Sequence, residues 1–323
     1  MAMQANVTAD TKTVDTYHED VVHDAQLDFY GKKLATCSSD RTIKVFDVQG
    51  GAAVRPGETL QGHEGPVWQV AWGHPSFGTI LASASYDGKV FIWKHENGAY
   101  GQSWVRIKEH ALHTASVNSI AWAPHELGAT LACASSDGKV SVLTFNSDGS
   151  WSVDIVTAHP VGCNAVSWAP AVPAGAADGA PQPPVRRFAS AGSDATIKIW
   201  RFSEEHNRYV EDAQLNGHTD WVRDVAIAPN AGLGRTYLAS ASQDRTVLIW
   251  TQTSPDAPWT KTALQPGAGS QGNADPTRFP DTVWRVSWSV SGNVLAVSCG
   301  DGKVSLWKEN LKGQWECINE MDA

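Results

Sequence analysis

Six short phrases along the chain share one alternation of apolar and polar positions: LATCSSDRTIKVFD, LASASYDGKVFIWK, LACASSDGKVSVLT, FASAGSDATIKIWR, LASASQDRTVLIWT and LAVSCGDGKVSLWK. In each, a run of small and apolar residues reaches a turn containing Asp. β-Branched residues then alternate with polar ones until an aromatic residue or Leu ends the run. A period of two enriched in β-branched residues predicts strands, and the turn predicts that the two strands of each phrase pair as a hairpin. A third apolar run precedes each phrase, with first strand residues at Val22, Val67, Val117, Cys163, Val222 and Val283. A fourth run follows, opening on an aromatic in five copies at Trp104, Trp151, Tyr209, Trp259 and Trp315, with Glu58 to Leu60 in that role in the first copy. No segment of 12 or more residues holds a 3.6-residue apolar period, so helix is nearly absent from the reading.

Six copies of a four-stranded unit, A to D, predict an all-β, six-bladed propeller occupying residues 1–323 as one domain. Blades begin near His18, His63, His113, His159, His218 and Phe279. The first strand residues are spaced by 45, 50, 46, 59 and 61 residues, and the two long intervals carry insertions rich in Pro, Gly or Ala, at 171–184 and 253–273, read as surface loops.

Composition narrows the function classes. A net charge of -9 offers no basic excess to neutralise phosphates, so direct binding to nucleic acid or anionic lipid is not expected. No apolar run approaches the ~18 residues of a membrane span and the first residues lack a signal-peptide pattern, which predicts a protein of the cytosol or nucleus. Five scattered cysteines without a CxxC pair read as reduced thiols, and the Asn6-Val7-Thr8 sequon as a chance match. Fifteen tryptophans against three methionines point to a rigid repeated core.

Aligned, the repeats place an Asp in every B–C turn, a small residue four positions before it and an aromatic or Leu six after it, with a His four residues before strand A in all copies but the last. Three copies hold a full set: His63, Ser83, Asp87, Trp93; His159, Ser190, Asp194, Trp200; and His218, Ser240, Asp244, Trp250. The first (His18, Thr36, Asp40, Phe46), third (His113, Cys133, Asp137, Leu143) and sixth (Phe279, Val297, Asp301, Trp307) read as eroded. Ser83, His63 and Asp87 have the residue types of a hydrolase triad. A catalytic set is needed once, however, and this one stands intact three times without a nucleophile elbow. His110 and His113 form an HxxH without a further ligand at metal spacing. No catalytic residue, metal or cofactor is expected.

The phrases resemble the WD-repeat family over essentially the whole chain. The resemblance implies that each His, hydroxyl, Asp and Trp form a buried hydrogen-bonded network tying the D–A loop to the B–C turn. HEDVVHDAQLDFYGKKLATCSSDRTIKVFD, LQGHEGPVWQVAWGHPSFGTILASASYDGKV, VNSIAWAPHELGATLACASSDG, GCNAVSWAPAV and HTDWVRDVAIAP resemble a narrower group, the Sec-thirteen family of COPII outer-coat subunits, from about Val14 to Ile318. That resemblance implies a non-catalytic scaffold for vesicle transport between endoplasmic reticulum and Golgi, paired with an α-solenoid rod protein. It further implies a place in the nuclear pore Y complex, paired with an α-solenoid nucleoporin, and in a vacuolar or lysosomal complex upstream of nutrient signalling. Membrane is reached only through partners. A sibling nuclear-pore propeller and a generic WD adaptor are the alternatives.

Most such propellers latch the last blade with a strand from the N-terminus. Here Trp315 and the residues after it supply blade six with its own outer strand, so no strand is left to latch the seam, apart from one that Thr11 to Tyr17 could form. The seam is therefore expected to be open, unlatched and completed by strands supplied in trans. Val21, Leu27 and Phe29 of blade one, with Val286, Val294 and Leu306 of blade six, are the candidate walls.

Overall fold

The computed structural model describes residues 14–50, 52–53, 57–98, 101–171, 184–229, 234–255, 257–267 and 275–322. Most of the insertion at 171–184, the end of that at 253–273, and Thr11 to Thr13 lie outside the described residues. Residues 14–17 form no strand.

The chain folds as an all-β propeller of six blades, each an antiparallel sheet whose first four strands in sequence order run from the centre outward. Strand A of successive blades is Val22–Leu27, Val67–Trp72, Val117–Trp122, Cys163–Trp168, Val222–Ile227 and Val283–Trp288. Blade one differs at its rim, where Ala52–Ala53 and Glu58–Leu60 both pair with strand C. Strand A carries a bulge at its second residue in every blade. In keeping with the near absence of helix, two 3-10 turns occur among the described residues, Pro75–Phe77 and His125–Leu127. Each closes on a glycine with positive φ, a conformation that ends a helix before it can propagate.

The side chains that alternate along each strand bury against both neighbouring blades. Five apolar clusters result, one between each consecutive pair from blades one and two to blades five and six. The Ala residues of strand B lie flat against the next blade, while Leu81, Leu131, Phe188, Leu238 and Leu295 fill the space toward the previous one. Polar bonds reinforce these contacts. The Val70 amide donates to Asp24 Oδ2 (3.2 Å), that of Ile120 to Gln69 Oε1 (2.7 Å), that of Val166 to Ser119 Oγ (3.4 Å) and that of Val286 to Asp224 Oδ2 (3.0 Å). The indoles of Trp72, Trp122, Trp168 and Trp288 donate to carbonyls of the preceding blade, at Gln26, Ala71, Ala121 and Ala226. Between blades four and five, where Ile227 has no indole, its amide donates to Ser167 Oγ (3.0 Å) instead.

Candidate functional site

The repeated polar sets sit where strand A, the B–C turn and strand C converge. In blade two the His63 Nδ1–H donates to Asp87 (3.0 Å), the Ser83 hydroxyl to His63 Nε2 (2.9 Å) and the Trp93 indole to Ser83 Oγ (3.0 Å). Blades four and five bring together His159, Ser190, Asp194 and Trp200, and His218, Ser240, Asp244 and Trp250, in the same way. Ser83, Ser190 and Ser240 are fully buried, with their oxygens already accepting the indole. A reagent approaching from solvent cannot reach them, so the arrangement cannot serve as a nucleophile and base. Burial works to raise the Asp87 carboxyl, but hydrogen bonds from His63 and from the Glu64 and Lys89 amides outweigh it and hold it down to about 2.

The first and third blades are less eroded than their sequences suggest. His18 reaches Asp40 (2.7 Å) and Thr36 Oγ1 (2.9 Å), and Phe46 takes the Trp position without a donor. In blade three Cys133 is bypassed: the Ser141 hydroxyl, opposite Cys133 in the strand pairing, donates to His113 Nε2 (2.8 Å), and the His110 Nε2–H donates to Ser141 Oγ (2.9 Å). His110 thus takes the part played elsewhere by the indole. Burial, and then the charge of neighbouring His113, pushes its imidazole down to about 4, which keeps it neutral in that role. The HxxH pair therefore converges on one serine. The sequence signal that was missed is the Ser at 141, four residues after the turn Asp, where blades one, two, four and five carry Lys44, Phe91, Lys198 and Leu248 and blade six carries Ser305. In blade six Phe279 packs edge-on against Trp307 and Ser305 receives the indole hydrogen bond, without histidine. Among the described residues no group of three or more His, Cys, Asp or Glu is placed to hold a metal ion.

The seam between blades six and one is built differently from the five closed junctions. The first residue of strand A is fully buried in blades two to six, but Val22 is 41% exposed. Leu27, where four blades place the indole that bonds backwards, is 57% exposed. Leu34 is only half-buried while its five counterparts are at 0%. On blade six, Ala296, Ser298, Val304 and Leu306 are half-buried where the equivalent Ala82, Ala84, Val90 and Ile92 are fully buried. Among the described residues no apolar cluster joins these two blades.

The six residues expected to wall the seam divide. Leu27 lies on the gap-facing side of blade one, and Val294 and Leu306 alternate with Leu295, Val297 and Trp307, which pack toward blade five; the pair therefore points to the gap. Val286 is a correction: it is buried in the cluster between blades five and six and faces away from the gap, because the bulge in strand A resets the alternation after Trp284. Phe29, although exposed, packs on Tyr30 and on His74 of blade two, so it also belongs to another surface. Val21 precedes strand A and is exposed beside the B–C turn, where its carbonyl accepts the Ser39 amide.

Comparison with known proteins adds to this geometry. The family described as WD domain, G-beta repeat matches residues 11–47, 55–94, 104–143, 211–251 and 277–308. The fourth blade, outside those matches, carries the insertion between its strands A and B. The chain is 65% identical to a protein of Mycosarcoma maydis named protein transport protein SEC13, the alignment covering 97% of this chain and 95% of that one. Proteins of the same name from Cryptococcus neoformans var. neoformans serotype D (strain JEC21) and Yarrowia lipolytica are 57% and 53% identical. Those alignments cover 96% and 94% of this chain and 97% of each relative.

Proposed function

We infer the function from one premise: the chain belongs to the SEC13 family of WD-repeat protein transport proteins. Its role lies in protein transport, and it exerts that role as a non-catalytic scaffold subunit of the COPII vesicle coat at the endoplasmic reticulum. The same scaffold serves the Y complex of the nuclear pore and a vacuolar or lysosomal nutrient-signalling complex. In each setting it pairs with an α-solenoid protein, which in the coat is the rod.

The observation that carries this reading is the seam. Apolar side chains that five junctions bury stand uncovered at the sixth, and such surfaces invite association. A partner that inserts strands there packs against the facing sheets of blades one and six and buries Leu27, Val294 and Leu306. An interface of that kind is obligate and on the order of 2,000 Å² or more. Burial of all three intact serines supports the non-catalytic part.

Reconstitution with the α-solenoid coat partner tests the proposal. A partner segment retaining its β-strands should bind tightly, and the same segment without them should lose most of its affinity. Full affinity after their removal, or a structure in which blades one and six close on each other with the partner on the outer rim, would overturn it.

A further inference from the structure

At four of the five closed junctions the third residue of strand A is an acceptor, Asp24, Gln69, Ser119 or Asp224, and it receives a backbone amide of the next blade. In blade six that position is Arg285. A guanidinium has only donors, so it cannot receive an amide from whatever lies beyond it. Arg285 is exposed and, among the described residues, has no ion pair or hydrogen bond. The carboxylates that share its surroundings are committed elsewhere. Asp24 accepts from the Val70 amide and from Gln26, and Asp224 from the Val286 and Val225 amides. The other nearby cation, Arg223, is stacked between Trp221 and Trp284 and bonded to Gln243. Asp24 and Asp224 feel the charge of Arg285 but form no ion pair with it, so its guanidinium keeps its donors for a group entering the gap.

Resting on the trans-strand reading above, we propose that the innermost strand entering the seam carries an Asp or Glu that pairs with Arg285. The polarity of the junction is thereby inverted relative to the closed ones. Ser287, two residues further on and on the same face of the strand, supplies the complementary acceptor. It occupies the position of Ser167, whose hydroxyl receives the Ile227 amide between blades four and five. A carboxylate for Arg285 and a backbone amide for Ser287 fix both register and direction of the incoming strand, and Arg285 selects against strands that are basic at that point.

The test is the affinity of the intact chain for the strand-bearing segment of its α-solenoid coat partner, with Arg285→Lys, Arg285→Gln and Arg285→Glu. Hydrogen exchange of Val22–Leu27 is followed in each complex to report occupancy of the seam. Arg285→Lys should melt as the parent does; Gln and Glu, which remove the charge felt by Asp24 and Asp224, should melt slightly lower, so affinity is compared at a temperature where every variant is folded. Gln should weaken binding about tenfold and Glu about a hundredfold or more, with Lys between parent and Gln. One Asp or Glu of the inserted strand, changed to Lys, should restore binding to Arg285→Glu. Parental affinity in Arg285→Glu with Val22–Leu27 still protected would overturn the carboxylate pairing. Failure of the parent complex to protect Val22–Leu27 would instead overturn the seam reading on which it rests.

Discussion

A buried imidazole destabilises a fold unless both nitrogens find partners, and the histidine networks meet that demand by chaining donors in one direction, from indole to hydroxyl to imidazole to carboxylate. Removing a member strands its neighbours. His63→Ala leaves Ser83 and Asp87 without their bridge and should lower stability by roughly 1–3 kcal/mol, visible as a lower melting temperature with partner affinity retained. The same logic reverses an expectation in blade three. With Cys133 bypassed, Cys133→Ala should be mild, whereas Ser141→Ala deprives His110 and His113 together and should cost about 1–3 kcal/mol. Equal effects of the two changes in thermal unfolding would count against Ser141 as the node. Because Asp87 is held low, the stability it adds is present above about pH 4, its unfolded range, and is lost as pH falls toward 2.

Between elements, the junction bonds set how firmly one blade holds the next. Trp122→Phe keeps most of the apolar surface but removes the donor to the Ala71 carbonyl, and a loss of about 1 kcal/mol is expected by chemical denaturation. No loss would mean that packing alone holds that junction. Asp224, at the fifth junction, behaves in the opposite sense to Asp87. Burial lifts its carboxyl to about 6 in spite of Arg285 and two amide bonds. A carboxyl raised on folding adds stability when protonated; the gain is complete below about pH 4 and disappears as pH rises through 6. Asp224→Asn retains an acceptor for Val286, so melting temperature plotted against pH should flatten across that window, and an unaltered slope would assign the titration to another group. The B–C turns add a backbone constraint. Gly138 has a φ of +82°, and a Cβ there would stand 2.2 Å from the His159 carbonyl oxygen, so Gly138→Ala must displace blade four's entry loop.

At the scale of the whole molecule, five closed junctions and one open one leave the two ends of the ring without mutual apolar burial among the described residues. A ligand that binds only the folded ring raises its stability by mass action. Saturation with the strand-bearing partner segment should therefore raise the melting temperature by several degrees, with new hydrogen-exchange protection concentrated in Val22–Leu27 and Val294–Cys299. Protection spread evenly over all six blades, or confined to the rim strands, would argue for a different docking site. A partner that fills the gap also explains why blade six ends on its own strand, Trp315–Asp322, instead of borrowing one.

The repeat phrases by themselves determined six blades and the strand order within each, because these depend on period-two alternation within one repeat; that the residues at fixed offsets form buried polar sets was implied by the resemblance to WD-repeat proteins. The phrases also pointed to the unlatched seam, since the outer strand of blade six could be counted along the chain. Three matters were decided only in three dimensions. Ser141 replaces Cys133 because the two lie opposite each other across a strand pair, a relation that alignment between repeats does not display. Val286 turns toward blade five because a bulge shifts the alternation by one residue, which no pattern of apolar letters marks. Arg285 becomes conspicuous only when four other junctions show an acceptor at its position, for the meaning of a side chain at an interface is set by the neighbour it meets.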